Sequence, residues 1–241
     1  MLSKSKSAAS SVAVTFLLTS CSSLLPWHNE RVGDEVNVSF TVQNNLLFLT
    51  SATIDGHRGR YFFGSAESRS VVDPRLVQSL GGTHETFKLQ LGDRATLPFS
   101  PISLDLGRTG DAIIGADVWG TRAVTIDYRA GLLIYQKSGM VPAYMALFRY
   151  DAEPAVDVTV DGETIGAVLD TALPDTLVLP RANAGRGTAR IALAGTNFGN
   201  IDVKFANVSR PRVGNRLLSK FLVSIDYGKH VVGLWRDPRI P

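Results

Sequence analysis

The amino-acid sequence predicts an all-β protein made of two similar lobes with short helices, related by internal duplication. Three observations point there. Val, Ile, Leu and Thr fall in short runs, punctuated by 22 glycines and 11 prolines over 241 residues, which favours short strands and turns. The stretch from Ile54-Asp55-Gly56 to Asp73-Pro74 realigns without a gap on Val160-Asp161-Gly162 to Leu179-Pro180, at an offset of 106. Further on, Ile113-Ile114-Gly115 and Ile126-Asp127-Tyr128 return as Arg212-Val213-Gly214 and Ile225-Asp226-Tyr227 at an offset of 99. One order of signals met twice is an internal repeat, shorter in the middle of its second copy.

The chain starts with Lys4 and Lys6, an apolar run from Val12 to Leu18, and Leu18-Thr19-Ser20-Cys21. The run is too short to span a bilayer and suits the apolar part of a signal peptide. Leu-Thr-Ser-Cys resembles a bacterial lipobox. That resemblance implies removal of residues 1–20, a lipid on Cys21 and attachment to the membrane. Ser22 after the cysteine resembles the sorting signal for the outer membrane, so the expected location is the cell envelope, on the periplasmic face of that membrane. Cys21 is the only cysteine, so no disulfide can form within the chain. Loss of Lys4 and Lys6 takes the formal net charge from +3 to +1, which gives no case for nucleic acid as a partner.

Residues 21–35, with Pro26 and Gly33, read as a tether. The first lobe spans 36–138. It opens with the alternation Val36, Val38, Phe40, followed by an apolar stretch from Leu46 to Ile54. Asp55-Gly56 is a hairpin-turn signal between Ala52–Ile54 and Arg60–Phe63. A short helix from Pro74 to Leu80 ends at Gly81-Gly82, and strands are expected around Phe87–Leu91, Ala95–Phe99 and Ile102–Leu106. Residues 139–154 form a linker whose apolar part, Ala143–Phe148, suits a strand between the lobes. The second lobe spans 155–241, and Asp161-Gly162 repeats the turn signal.

The candidate site is Asp170-Thr171-Ala172, at the end of the apolar run Ala167-Val168-Leu169. A carboxylate there is costly to bury, so the position calls for a reason. The tripeptide, the strand to Pro180, the apolar-apolar-Gly segments and the Ile-Asp-Tyr strands, in fixed order and twice, resemble the pepsin-like and retropepsin-like aspartic peptidases. Ala172 stands where that family has glycine. The resemblance covers roughly residues 36–236 and implies two retropepsin-like (acid-protease) β-barrel lobes, each giving one carboxylate to a proton-sharing dyad. On this register Asp170 is the family-matching catalytic aspartate. Its partner loop reads Gly64, Ser65, Ala66, without an aspartate. The resemblance also implies that Ser65 and Thr171 brace the two loops against each other. Ala66 and Ala172 in place of glycines are expected to make the site tighter.

Loss of one carboxylate implies a scaffold kept without its chemistry: a peptide-binding pseudopeptidase, monomeric, with an extended peptide between the lobes. The alternative is an active aspartic endopeptidase whose second acid comes from a dimer partner or a substitute residue. A purely structural β protein is the third reading, and a cleft filled by Phe62, Phe63 or Leu173 would favour it. Glu67, the nearest substitute acid, reads as a loop residue facing solvent, and Asp73, Asp127, Asp175 and Asp226 are not assigned to catalysis. His28, His57, His84 and His230 lack metal-ligand spacing, so no metal and no cofactor is expected. No Gly-x-Ser-x-Gly is present for a serine nucleophile, and Gly185-Arg186-Gly187 reads as a loop. Arg210, Arg212, Arg216 and Lys220 read as a solvated basic face.

Overall fold

The computed structural model describes residues 35–82, 85–92, 94–136 and 141–239. The signal segment, Cys21, His28, His84 and all but the end of the tether lie outside the described residues. Gly33–Pro241 forms one compact unit. Among the described residues no helix is long and apolar enough to cross a membrane, and no three His, Cys, Asp or Glu are placed to share a metal ion.

In the first half the chain runs β1 (Glu35–Gln43), β2 (Leu46–Leu49), β3 (Ala52–Ile54), β4 (Tyr61–Phe63), β5 (Val71–Val72) and α1 (Pro74–Ser79). It continues with β6 (Phe87–Leu91), β7 (Ala95–Phe99), β8 (Ile102–Ser103), β9 (Ala112–Ile114), α2 (Ala116–Trp119), β10 (Ala123–Asp127) and β11 (Leu132–Gln136). The second half runs β12 (Ala146–Arg149), β13 (Ala155–Val160), β14 (Glu163–Leu169), β15 (Leu177–Pro180), β16 (Gly185–Leu193) and β17 (Thr196–Ala206). It closes with β18 (Arg212–Val213), α3 (Asn215–Leu218), β19 (Leu222–Asp226) and β20 (Val231–Trp235). The protein is thus mostly β.

These strands form a closed six-stranded barrel, β13-β14-β18-β15-β17-β16, a sheet in the order β12-β20-β19-β10-β11-β1-β2-β4-β9-β5-β8, and the small sheet β3-β6-β7. Alternation explains β1: Val36, Val38 and Phe40 are buried, while Asn37, Ser39 and Thr41 face out. The strand then serves two neighbours, pairing with β11 through Ser39 and with β2 from Phe40 onward. β10 and β19 are buried on both faces and join the halves as antiparallel neighbours centred on Thr125↔Ser224. A hydroxyl pair lies at that centre, Thr125 Oγ1 donating to Ser224 Oγ at 2.9 Å. Thr125→Val keeps the shape and removes one of two buried partners. The expected cost is about 1 kcal/mol, read as a lower urea midpoint at unchanged slope.

Two local expectations change. Asp161-Gly162 closes the true hairpin β13–β14. Asp55-Gly56 closes only a single bridge, Ile54 to His57, after which the chain leaves and Tyr61–Phe63 pairs with β2 and β9 instead. The difference lies beyond the turn, since Glu163 starts a seven-residue strand whereas Gly59 and Arg60 interrupt the corresponding path. Gly185-Arg186-Gly187 is not a loop: it opens β16 and pairs with Val203–Phe205 of β17, which supplies its backbone partners.

Candidate functional site

Two loops meet at the centre of the molecule. One leaves β4 at Phe63 and runs through Gly64, Ser65 and Ala66; the other leaves β14 at Leu169 and runs through Asp170, Thr171 and Ala172. Each is tied to its own half by the same bond: Gly64 N–H donates to Ile114 C=O at 3.0 Å and Asp170 N–H to Val213 C=O at 2.9 Å. The helix that follows holds each loop from behind. Ala116 N–H donates to Glu67 C=O at 2.7 Å, and Asn215 N–H to Leu173 C=O at 2.9 Å. Glycine is required just before each helix. A Cβ at Gly115 would lie 2.7 Å from Glu67 O, and one at Gly214 would lie 2.3 Å from Asp175 O.

Ser65 and Thr171, both fully buried, bind each other's loops reciprocally. Ser65 N–H donates to Thr171 Oγ1 at 2.9 Å, and Thr171 N–H to Ser65 Oγ at 3.0 Å. The hydroxyls pass the bonds on, Ser65 Oγ to Leu169 C=O at 2.6 Å and Thr171 Oγ1 to Phe63 C=O at 2.7 Å. Both hydroxyls and both amides of Ser65 and Thr171 are paired, so the loops are held as one unit. Ala66 and Ala172 sit at negative φ and carry no backbone strain, so their methyls fit without the freedom of glycine.

The side chains at the centre are unequal. Asp170 is 4 % exposed; its Oδ1 accepts the Ala172 N–H at 2.9 Å, and its Oδ2 is paired to Arg212 Nη1 at 2.6 Å. Arg212 stands on β18 beside Val168, so its side chain crosses the end of β14. In the first half the matching place, 99 residues earlier, is held by Ile113 of β9, beside Phe62. A Cβ at Gly64 would lie 2.6 Å from Ile113 Cγ2 and 2.9 Å from Glu67 Cγ. The position opposite Asp170 is therefore occupied by neighbouring side chains. Phe62, buried with Leu46 and Phe48, packs against Ile113 and Ala172. Phe63 belongs to the main core, edge-on to Trp119 at 5.5 Å.

Two sequence expectations fail here. Glu67 is half-buried rather than solvent-facing, because Gly64 leaves space that the Glu67 methylenes fill. Arg212 is not part of a solvated basic face, because its guanidinium is drawn to Asp170, and neighbouring Arg210 pairs with Glu153 at 3.4 Å. Nothing local marks Arg212 as the partner of Asp170 beyond its place before Val213-Gly214.

Burial raises the Glu67 carboxyl above its ordinary value; the Asp170 charge and then Glu153 push the same way, while Arg212 opposes them. The folded state thus holds this proton more tightly than the unfolded chain does. Stability tied to Glu67 is present at acid pH and lost as pH rises from the unfolded-chain value through the raised folded one. Glu67→Gln should therefore be more favourable, relative to the parent, at about pH 7 than at about pH 4, read from urea midpoints.

The remaining acids have structural partners. Asp127 Oδ1 accepts the Arg129 and Ala130 N–H groups in the turn after β10, and Asp226 Oδ1 accepts the Lys229 N–H at 2.9 Å in the matching turn. Asp73 caps α1 and binds Arg75, and Asp175 pairs with Lys204 at 3.1 Å and Arg186 at 3.5 Å. Asp55 and Asp161 hold their turns at positive φ. His57 provides the backbone bridge to Ile54, and the His230 ring stacks on Tyr150 at 5.2 Å. A cavity of about 330 Å³ adjoins the first loop, lined by Ser65, Glu67, Tyr150, Glu153 and His230 among others. No protein-family model matches the chain, and no curated protein matches it.

Proposed function

We propose that the protein is a non-catalytic homologue of the retropepsin-like aspartic peptidases, anchored at the bacterial cell envelope, which holds an extended peptide beside its two central loops. The observation that carries this reading is the pair of occupied positions. Arg212 takes one oxygen of Asp170, and Ile113 with Glu67 fills the place of a second aspartate. A dyad needs two carboxylates sharing one proton around a water, and a guanidinium in contact with one of them removes that arrangement. The reciprocal Ser65–Thr171 bonds, and the equal ties of Gly64 and Asp170 at offset positions, support the duplicated two-lobed ancestry. They also count against a dimer built on two Asp170 loops, since the Thr171 hydroxyl and N–H are both committed to the first loop of the same chain.

Room for a peptide side chain exists in the cavity beside Glu67. Its carboxylates, Glu67, Asp117 and Glu153, favour a basic residue there. The test is selection of random peptides on residues 22–241, which keep the whole compact unit. Selected peptides should share a basic residue and lose about tenfold in affinity when Glu67→Lys is introduced, a change of about 1.4 kcal/mol. Failure of the folded protein to enrich any peptide overturns the binding role.

One observation favours a second reading. The Glu67 methylenes lie where a side chain at Gly64 would begin, and its carboxyl feels the Asp170 charge. In that reading Glu67 is the substitute acid of a working endopeptidase, and Glu67→Gln abolishes cleavage.

A further inference from the structure

We infer that acid releases the bound peptide, because two proton acceptors, Glu67 and His230, line the one cavity that receives its basic residue. The inference rests on the reading given above, in which that cavity holds a basic side chain of an extended peptide. Buried Ala66, Tyr150, Pro154 and Tyr227 line the cavity without charge, since burial pushes both tyrosine hydroxyls up, out of the range in question. The titratable groups come from four separate segments. Glu67 lies on the first loop, Asp117 on α2, Glu153 just before β13, and His230 in the turn between β19 and β20.

The three carboxylates differ in what they already hold. Asp117 Oδ1 accepts the Ser70 N–H at 2.8 Å and the Ser70 hydroxyl at 2.7 Å, and Glu153 pairs with Arg210 at 3.4 Å. The Glu67 carboxyl has no hydrogen bond among the described residues. Burial, first of all, favours its neutral form. The Asp170 charge and Glu153 act the same way, and Arg212, itself bound to Asp170, opposes them. Glu67 therefore takes up a proton at a higher pH than an ordinary carboxylate does.

His230 is fixed in place beside it. Its backbone sits at φ 53°, and its C=O accepts the Tyr150 N–H at 3.1 Å. Its ring lies on Tyr150 at 5.2 Å with the planes 4° apart. Imidazole is the side chain that ordinarily changes charge between about pH 5 and about pH 8.

The two events act in one direction. A proton on Glu67 removes a negative charge from the cavity, and a proton on His230 adds a positive one, so each weakens the hold on a cation. By linkage, a bound cation favours ionised Glu67 and neutral His230. Binding then drives protons off, and affinity falls as pH falls.

The test is calorimetric titration of residues 22–241 with a blocked alanine pentapeptide carrying one central arginine, beside the same peptide with neutral citrulline in its place. Circular dichroism at each pH checks that the protein is folded. The arginine peptide is expected to bind at about pH 7.5 and at least about tenfold more weakly at about pH 5. Near about pH 6 its binding heat should change with the ionisation heat of the buffer, as proton release requires. The citrulline peptide should bind weakly at both values. Glu67→Gln should weaken the arginine peptide already at about pH 7.5 and flatten most of the pH dependence, and His230→Gln should flatten part of it. Equal affinity of the folded parent for the arginine peptide at both pH values overturns the acid release and leaves the peptide reading standing. A pH dependence unchanged in both variants also overturns it, since the protons then go elsewhere. No binding of the arginine peptide at either pH overturns the peptide reading and this inference with it.

Discussion

Gly64→Asp, the substitution that restores the missing aspartate on paper, is expected to destabilise the protein by at least about 3 kcal/mol and to yield no peptidase. The added Cβ would lie 2.6 Å from Ile113 Cγ2. Ile113 is β-branched, pairs with Phe62 and Val71 on β9, and packs under Phe62, so it has no easy rotamer to retreat to. Overpacking of this kind costs about 1–3 kcal/mol, and the new carboxylate adds like-charge repulsion with Asp170 and Glu67 in a poorly solvated place. The double variant Gly64→Asp/Ile113→Ala should recover much of the loss, because the two sites touch and their effects are not additive. Equal urea midpoints for the parent and the single variant would show that the loop is looser than this packing implies. Cleavage stays absent in both variants because Arg212 still holds Asp170.

Removing that arginine has the second large effect. Arg212→Met keeps the apolar stem and leaves a 6 % exposed carboxylate with only the Ala172 N–H as a close partner. Breaking a fully buried pair costs about 3–5 kcal/mol, and since Arg212 itself reaches solvent the expected loss is about 2–3 kcal/mol. Adding Asp170→Asn to Arg212→Met should return most of it, because an amide can be buried there with its bonds to Ala172 without an uncompensated charge. If Arg212→Met costs under about 0.5 kcal/mol, the pair is a surface-like contact and Asp170 is not locked.

Much of this architecture was legible in the sequence because it is written locally. The short strands, the helix that starts at Pro74, and the glycines before α2 and α3 follow from periodicity and from residue types with few conformational options. The site was legible only in part. Ser65 and Thr171 could be named because the family resemblance implies that their hydroxyls brace the two loops, and a buried hydroxyl must find a partner. Arg212 could not be assigned to Asp170, because the bond spans 42 residues and depends on β18 lying parallel to β14. Glu67 was misread for a related reason: the rule that charged loop residues face water assumes the loop has no hollow, and Gly64 makes one. The β3–β4 turn shows the same limit, because Asp55-Gly56 specifies a reversal but not which strands lie beyond it.

The measurement that tests the central claim most directly is cleavage of a diverse peptide library by residues 22–241 between about pH 3 and about pH 8, beside Asp170→Ala and Glu67→Gln, the range spanning the protonation of carboxylates. The occupied site predicts no cleavage by any of the three at any pH. Cleavage by the parent that vanishes in Asp170→Ala would contradict it, and loss of that cleavage in Glu67→Gln as well would identify Glu67 as the second acid.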